Sequence, residues 1–144
     1  MASIRPIQQP AETRHRVTLR ADPFAVAEAR RQVKAAVLYW RVPVDIEVAE
    51  LLVSELVTNA ITHDGVHRQG GAGGTLTLAM HGGQRQFRVD VYDASTAPPV
   101  LSDGAPRDAE SGRGLMLVDS LSTTWGSYPT ATGKAVYFTL AFRG

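Results

Sequence analysis

The chain has 144 residues, and at about 150 residues per domain this length predicts one domain that can bury its own core. It contains no Cys, which excludes disulfide frameworks, thiolate metal sites and Cys nucleophiles. Lys and Arg number 15 and Asp and Glu number 14, so the net charge of +1 provides no large field for nucleic acid or anionic lipid. No apolar stretch reaches the roughly 20 residues that span a bilayer, and Met1–Pro10 lacks the apolar core of a signal peptide. We therefore expect a cytoplasmic protein that contacts neither membrane nor nucleic acid.

The first third of the sequence predicts a tail, a strand and a helix. Residues 1–15 are expected to form a flexible tail before a domain at 16–144. The alternation over His15–Ala21 predicts a short strand. Asp22 is a predicted N-cap, and Pro23 occupies a predicted first helical position.

This first helix extends to Trp40 by its apolar spacing, and Pro43 ends it. Its opposite face carries three cations, Arg30, Arg31 and Lys34. Two interpretations are open: a solvated helix face, or a docking surface for an acidic partner.

The rest of the chain predicts a second helix, two strands, a third helix and two further strands. The glycines at 67–74 and the prolines within 94–111 predict loops around the first strand pair. Because the strands come in adjacent pairs, the order favours an α+β sandwich over a doubly wound sheet. The predicted bounds are Asp45–Asp64, Thr75–Met80, Arg85–Asp93, Gly114–Leu121, Thr123–Ser127 and Lys134–Phe142.

Polar residues line one side of the second helix. Glu55 and Asn59 are four residues apart and so share a face, and His63 continues the same line. A carboxylate can accept a proton, and an amide oxygen is a hard ligand suited to Mg²⁺. The spacing alone favours the solvent-facing stripe of an amphipathic helix.

Asp93 follows the inward face of Phe87, Val89 and Val91, so the alternation aims its carboxylate at the core. A buried carboxylate needs a donor, because leaving it unpaired costs several kcal/mol. The donor is either a protein group or an amine of a ligand. A third interpretation is a strand-end Asp that caps the following turn through Ser95 or Thr96.

Two glycines flank Arg113, just before the predicted third helix. Gly112 and Gly114 would allow the backbone to approach a ligand, and a helix N-terminus favours an anion. The segment matches neither a dinucleotide fingerprint nor a Walker loop. Taken singly, the motif favours a loop-to-helix junction that needs conformational freedom.

Taken together, these segments resemble the ATP-binding domain shared by histidine kinases, gyrase-type ATPases and anti-sigma-factor serine kinases. Glu55–His63 resembles its N box, Asp93–Ser95 its first glycine box with Ser in place of Gly, and Gly112–Val118 its second glycine box. Trp125–Gly126 and Gly133–Phe138 resemble the closing strands of the anti-sigma branch. The resemblance implies a two-layer α/β sandwich, with a mixed, mostly antiparallel sheet covered on one face by helices.

The resemblance also implies residue roles and ligands. Asn59 would hold Mg²⁺, Glu55 would be the general base, and Asp93 would accept from the amino group of adenine. The segment between the glycine boxes would be a lid over ATP. The remaining nucleotide-binding residues implied are His63, Ser95, Gly112, Arg113, Gly114 and Leu115.

Three functions are compatible with these residues. The first is an ATP-dependent serine/threonine kinase and anti-sigma factor. It would form a homodimer, bind a sigma factor and phosphorylate an anti-anti-sigma protein of the STAS type. The second is an inactive module that sequesters a partner, with or without nucleotide, since the segment after Asp93 lacks glycines. The third is an orphan ATPase.

Overall fold

The computed structural model describes residues 13–63, 74–94 and 109–143. Its strands and helices follow one another in the predicted order. The elements are β1 (Thr13–Arg20), α1 (Phe24–Tyr39), α2 (Ile46–His63), β2 (Thr75–Gly82), β3 (Gln86–Asp93), α3 (Ala109–Leu121), β4 (Thr124–Thr130) and β5 (Gly133–Ala141).

The five strands form one sheet in the order β1-β2-β3-β5-β4. The predicted α+β sandwich is confirmed. All four strand pairings in the described residues are antiparallel, so this part of the sheet has no parallel pair where we expected a mixed sheet. The pairs β2–β3 and β4–β5 are each adjacent in sequence and joined by short turns, which only antiparallel neighbours permit.

The helices cover one face of the sheet. α2 is central, because it packs against α1 and α3 and also against β3 and β5. The core lies between these two layers. Its largest fully buried side chains include Phe87, Phe138, Leu52, Leu56, Leu76, Leu78, Met80 and Leu115.

Aspartates begin the first two helices, as their sequence predicts. The N–H of Phe24 donates to Oδ1 of Asp22 at 2.9 Å, which is the expected capping bond. Asp45 Oδ1 accepts from the N–H groups of Glu47 at 2.9 Å and Val48 at 3.2 Å. These bonds satisfy N–H groups that have no acceptor within the helix.

α1 ends in a Schellman motif rather than at Pro43. The N–H of Val42 donates to the carbonyl of Val37, and that of Arg41 to the carbonyl of Leu38. Arg41 has φ of 54°, in the left-handed region that glycine usually occupies at this position. The chain turns away before Pro43 is reached.

Several predicted boundaries are wrong. β2 and β4 extend beyond their predicted ends, to Gly82 and Thr130. β1 begins at Thr13, inside the segment expected to be a tail. α3 begins at Ala109, so Gly112 and Gly114 lie within the helix and not before it. A glycine inside a helix costs about 1 kcal/mol relative to alanine, and the burial of Leu115 and Val118 in the core offsets that cost.

None of the three helices in the described ranges combines the length and the hydropathy needed to cross a membrane.

Candidate functional site

Asn59 is the polar residue that α2 places in the interior. It is 4% exposed, among core residues of the same helix such as Leu56 and Ala60. Its Oδ1 has no hydrogen-bond partner among the described residues. Glu55, one turn earlier, is only half-buried. The interpretation of this line as a solvent-facing stripe is therefore wrong for Asn59.

A buried amide oxygen without a partner costs about 1–3 kcal/mol, and such groups in native proteins call for an explanation. An amide oxygen is a hard donor of the kind that Mg²⁺ prefers, so Asn59 fits the predicted metal role. Within the described residues no three His, Asp or Glu side chains come together to hold a metal ion. A cation at Asn59 would therefore need further ligands, which nucleotide phosphates supply in many such sites.

Asp93 ends β3 on the helix-facing side of the sheet, as the alternation predicts. It is 5% exposed. Nζ of Lys134 donates to its Oδ1 at 3.1 Å. A protein group therefore donates to this carboxylate, and the predicted cap through Ser95 or Thr96 lies outside the described residues.

Lys134 is the residue of this site that sequence reasoning missed. It begins β5 directly opposite Asp93 in the β3–β5 register, although the two are 41 residues apart in sequence. It is 5% exposed, and the bond to Asp93 is the one hydrogen bond that its side chain forms among the described residues. A signal was present, because Val136 and Phe138 continue the same inward alternation from Lys134.

Gly133 allows the strand ends to approach closely. A Cβ on Gly133 would lie 2.0 Å from the carbonyl oxygen of Asp93 and 2.7 Å from Cα of Ala94. A side chain there would push the start of β5 away from the end of β3. The glycine therefore maintains the distance at which Lys134 reaches Asp93.

The remaining predicted residues are placed less fully. His63 is the last residue of α2, and Ser95 lies outside the described residues. Leu115 is fully buried in the core, so any contact with a ligand would involve its backbone. Gly114 lies in the second turn of α3, where a backbone N–H normally bonds within the helix. The roles of Gly112 and Arg113, both also in α3, stay predictions.

The opposite face of the sheet carries a second buried carboxylate, Asp90, which is 7% exposed. Arg88 donates to it twice, from Nε at 2.8 Å and from Nη2 at 3.0 Å. The hydroxyl of Tyr128 donates to it at 2.7 Å and lies 3.2 Å from the hydroxyl of Tyr92. Burial raises the pKa of Tyr128, and its bonds with Tyr92 and Asp90 raise it further. The hydrogen bonds to Asp90 likewise raise the pKa of Arg88.

Two arginines on this open face of the sheet stack over tyrosine rings. The guanidinium of Arg16 lies 5.0 Å from the ring centroid of Tyr92, and that of Arg88 lies 4.0 Å from the ring centroid of Tyr137. A shallow groove of about 720 Å³ runs between β1, β2 and β3 here. The groups of this face largely satisfy one another, which suits a stable surface better than a reactive centre.

The cations of α1 are exposed, as both interpretations of that helix require. Arg31 forms an ion pair with Glu28 one turn earlier. Glu28 also accepts from Gln32, and these bonds, chiefly that from Gln32, lower the pKa of Glu28.

Comparison with known proteins agrees with the observed fold. Residues 19–140 match the model of the histidine kinase-like ATPase domain. No curated protein matches the chain. Among solved structures, the crystal structure of the RsbU and RsbW domains of Rv1364c from Mycobacterium tuberculosis superposes with a TM-score of 0.56 at 21% identity.

That superposition covers 91% of this chain but only 32% of the other, so this chain corresponds to about a third of it. At this identity the likeness shows a shared fold. The family model, in contrast, matches most of the chain, from the end of β1 to the end of β5. The chain therefore belongs to the histidine kinase-like ATPase domain family.

Proposed function

We propose that this chain is an ATP-dependent serine/threonine kinase and anti-sigma factor. It would transfer the γ-phosphoryl group of ATP to an anti-anti-sigma protein of the STAS type and, in another state, bind a sigma factor. Membership of the histidine kinase-like ATPase family supports the binding of ATP. The likeness of Trp125–Gly126 and Gly133–Phe138 to the closing strands of the anti-sigma branch supports the kinase activity.

The observation that carries this proposal is Asn59. Its buried Oδ1 has no partner among the described residues, and it lies one helical turn from a half-buried carboxylate. Asn59 would hold Mg²⁺ together with the phosphates of ATP. Mg²⁺ bound there supplies charge neutralisation on the transferred phosphoryl group.

Glu55 would accept the proton of the attacking hydroxyl. A carboxylate that is half-buried remains accessible to a hydroxyl from a partner, whereas a fully buried one would not be. Asp93 would accept from the exocyclic amine of adenine. The core side chains beside it on β3, such as Val91, provide the apolar surroundings that suit a purine ring.

The partners would dock outside this interior site. The exposed Arg30, Arg31 and Lys34 of α1 suit an acidic surface. We include a homodimer in the proposal, and sedimentation velocity of the purified chain tests it.

The first test is calorimetric titration with ATP, with and without Mg²⁺, on the wild type and Asp93→Asn. We expect binding that depends on Mg²⁺ and is strongly weakened in the variant. The second test is phosphoryl transfer from labelled ATP to a panel of STAS-type proteins. Glu55→Gln should bind ATP normally but transfer phosphate about 100-fold more slowly or worse, because a general base contributes at least that factor.

Glu47→Gln is the matched control for the transfer experiment. It makes the same substitution on the same helix, at an exposed position in the first turn. If Glu55→Gln transferred phosphate as fast as Glu47→Gln, the assignment of the base would be wrong.

A second candidate function is a protein-sequestering module without kinase activity. The ion pair between Lys134 and Asp93 favours it, because the carboxylate expected to bind adenine already has a donor. Absence of binding at millimolar ATP would select this function. Stoichiometric phosphorylation of any partner would end it.

A further inference from the structure

We propose that Lys134, together with Asp93, recognises the nucleobase through hydrogen bonds. This inference rests on the nucleotide binding proposed above and adds a specificity-determining residue to it. Nζ of Lys134 and Oδ1 of Asp93 are 3.1 Å apart, and both side chains are buried. They place a hydrogen-bond donor directly beside an acceptor.

The ion pair should persist when a base arrives. Displacing Lys134 would leave its ammonium group buried without a counter-charge, and breaking a buried pair in this way is strongly destabilising. A carboxylate offers about four lone-pair positions, so Asp93 can accept from Lys134 and from an amine at the same time. A ligand that binds here therefore contacts Asp93 and Lys134 while they remain bonded to each other.

Lys134 has unused hydrogen-bonding capacity. An ammonium group carries three N–H donors, and one of them is used among the described residues. At 5% exposure little water can reach the others. Asp90 provides the contrast, because the rigid fork of Arg88 and the hydroxyl of Tyr128 are both directed at that carboxylate.

Adenine has the complementary edge. Its exocyclic amine, a donor, is flanked by the ring nitrogens N1 and N7, which are acceptors. An amine bound to Asp93 brings one of these nitrogens beside the ammonium of Lys134. Gly133 holds the two strand ends together at this point, so the donor and the acceptor of the protein keep their spacing.

The experiment measures Kd by calorimetry for Mg-ATP and for two analogues in which carbon replaces N1 or N7. For the wild type we expect one analogue to bind about 10- to 100-fold more weakly than ATP, as for a lost hydrogen bond to a charged group. Lys134→Met should bind ATP more weakly by a similar factor and should no longer distinguish that analogue from ATP. Arg20→Met, which removes an exposed cation at the end of β1, is the control and should bind all three ligands like the wild type.

Each other outcome overturns the proposal. Equal affinity of the wild type for ATP and both analogues would show that Lys134 stabilises the fold without contacting the base. The proposed nucleotide binding would then still stand. An equal loss for all three ligands in Lys134→Met would show that it only positions Asp93. No binding of any nucleotide by the wild type would overturn the proposed kinase function together with this inference. The wild-type series requires no variant, so equal affinities for the three ligands would overturn the proposal even where Lys134→Met does not fold.

Discussion

Two carboxylates on one strand show how differently the two faces of this sheet are built. Asp90 and Asp93 are three residues apart on β3, so they point to opposite faces. Their exposures are nearly the same, at 7% and 5%. Asp90 accepts three hydrogen bonds, from Arg88 and Tyr128, whereas the donor that the described residues provide to Asp93 is the flexible side chain of Lys134.

The difference extends beyond the two residues. On the open face, the arginines and tyrosines satisfy one another through hydrogen bonds and ring contacts. On the helix side, the Oδ1 of Asn59 and the spare donors of Lys134 find no partner in the described residues. Buried polar groups are normally satisfied, so a polar ligand bound beside Asn59 and Lys134 would supply the partners that these groups lack.

The largest expected effect is on Asp93. Asp93→Ala should lower the free energy of unfolding by about 3–5 kcal/mol, because it leaves the charge of Lys134 buried alone. The double variant Asp93→Ala/Lys134→Met should recover most of this loss, since it removes both charges together. Urea denaturation measures both. Additive losses in the double variant would contradict the ion pair.

Asp90→Ala should cost less, about 1–3 kcal/mol by the same measurement. The side chain of Arg88 is 33% exposed, so water can solvate it once its partner is removed. Affinity for ATP should not change. The contrast between the faces would fail if this variant lost as much stability as Asp93→Ala, or lost nucleotide binding.

Asn59→Leu should stabilise the protein by about 1 kcal/mol, because it replaces an unsatisfied buried amide with an apolar side chain of similar size. It should also abolish Mg²⁺-dependent binding of ATP. Thermal or urea unfolding and calorimetry test the two parts separately. A loss of stability would mean that the amide is already satisfied.

The smallest expected effect is at alkaline pH on the open face. Burial raises the pKa of Tyr128 above its unfolded value of about 10. Above about pH 10 the unfolded chain loses this proton while the native protein retains it, so the free energy of unfolding falls. Tyr128→Phe should show a shallower fall in urea denaturation between about pH 8 and about pH 11. An identical fall in both proteins would place the alkaline sensitivity elsewhere.

Local patterns predicted the direction of several side chains. The alternation along β3 placed Asp93 inward with Val91, and the aspartates at 22 and 45 predicted the starts of two helices. The same alternation placed Asp90 outward but could not predict its burial. That burial depends on Arg88 and on Tyr128, which is 38 residues away in sequence.

The glycines around Arg113 show where local rules fail. Two glycines predicted a junction before a helix, yet the helix begins at Ala109. Packing of Leu115 and Val118 against the core stabilises this helix. That packing depends on residues distant in sequence, which a local pattern does not include. Whether Gly112 contacts phosphate stays a prediction.

The sequence by itself determined the layer architecture and the identity of the polar residues on α2 and at the end of β3, because periodicity and capping act within a few residues. Only the tertiary structure decided which of these residues are buried and which partner each one has. Asn59 became a buried amide because α2 is enclosed by α1, α3 and the sheet. Lys134 met Asp93 because antiparallel pairing of β3 with β5 brings residues 41 apart into register. Pairing between distant strands depends on the packing of the whole chain, and no short segment contains that information.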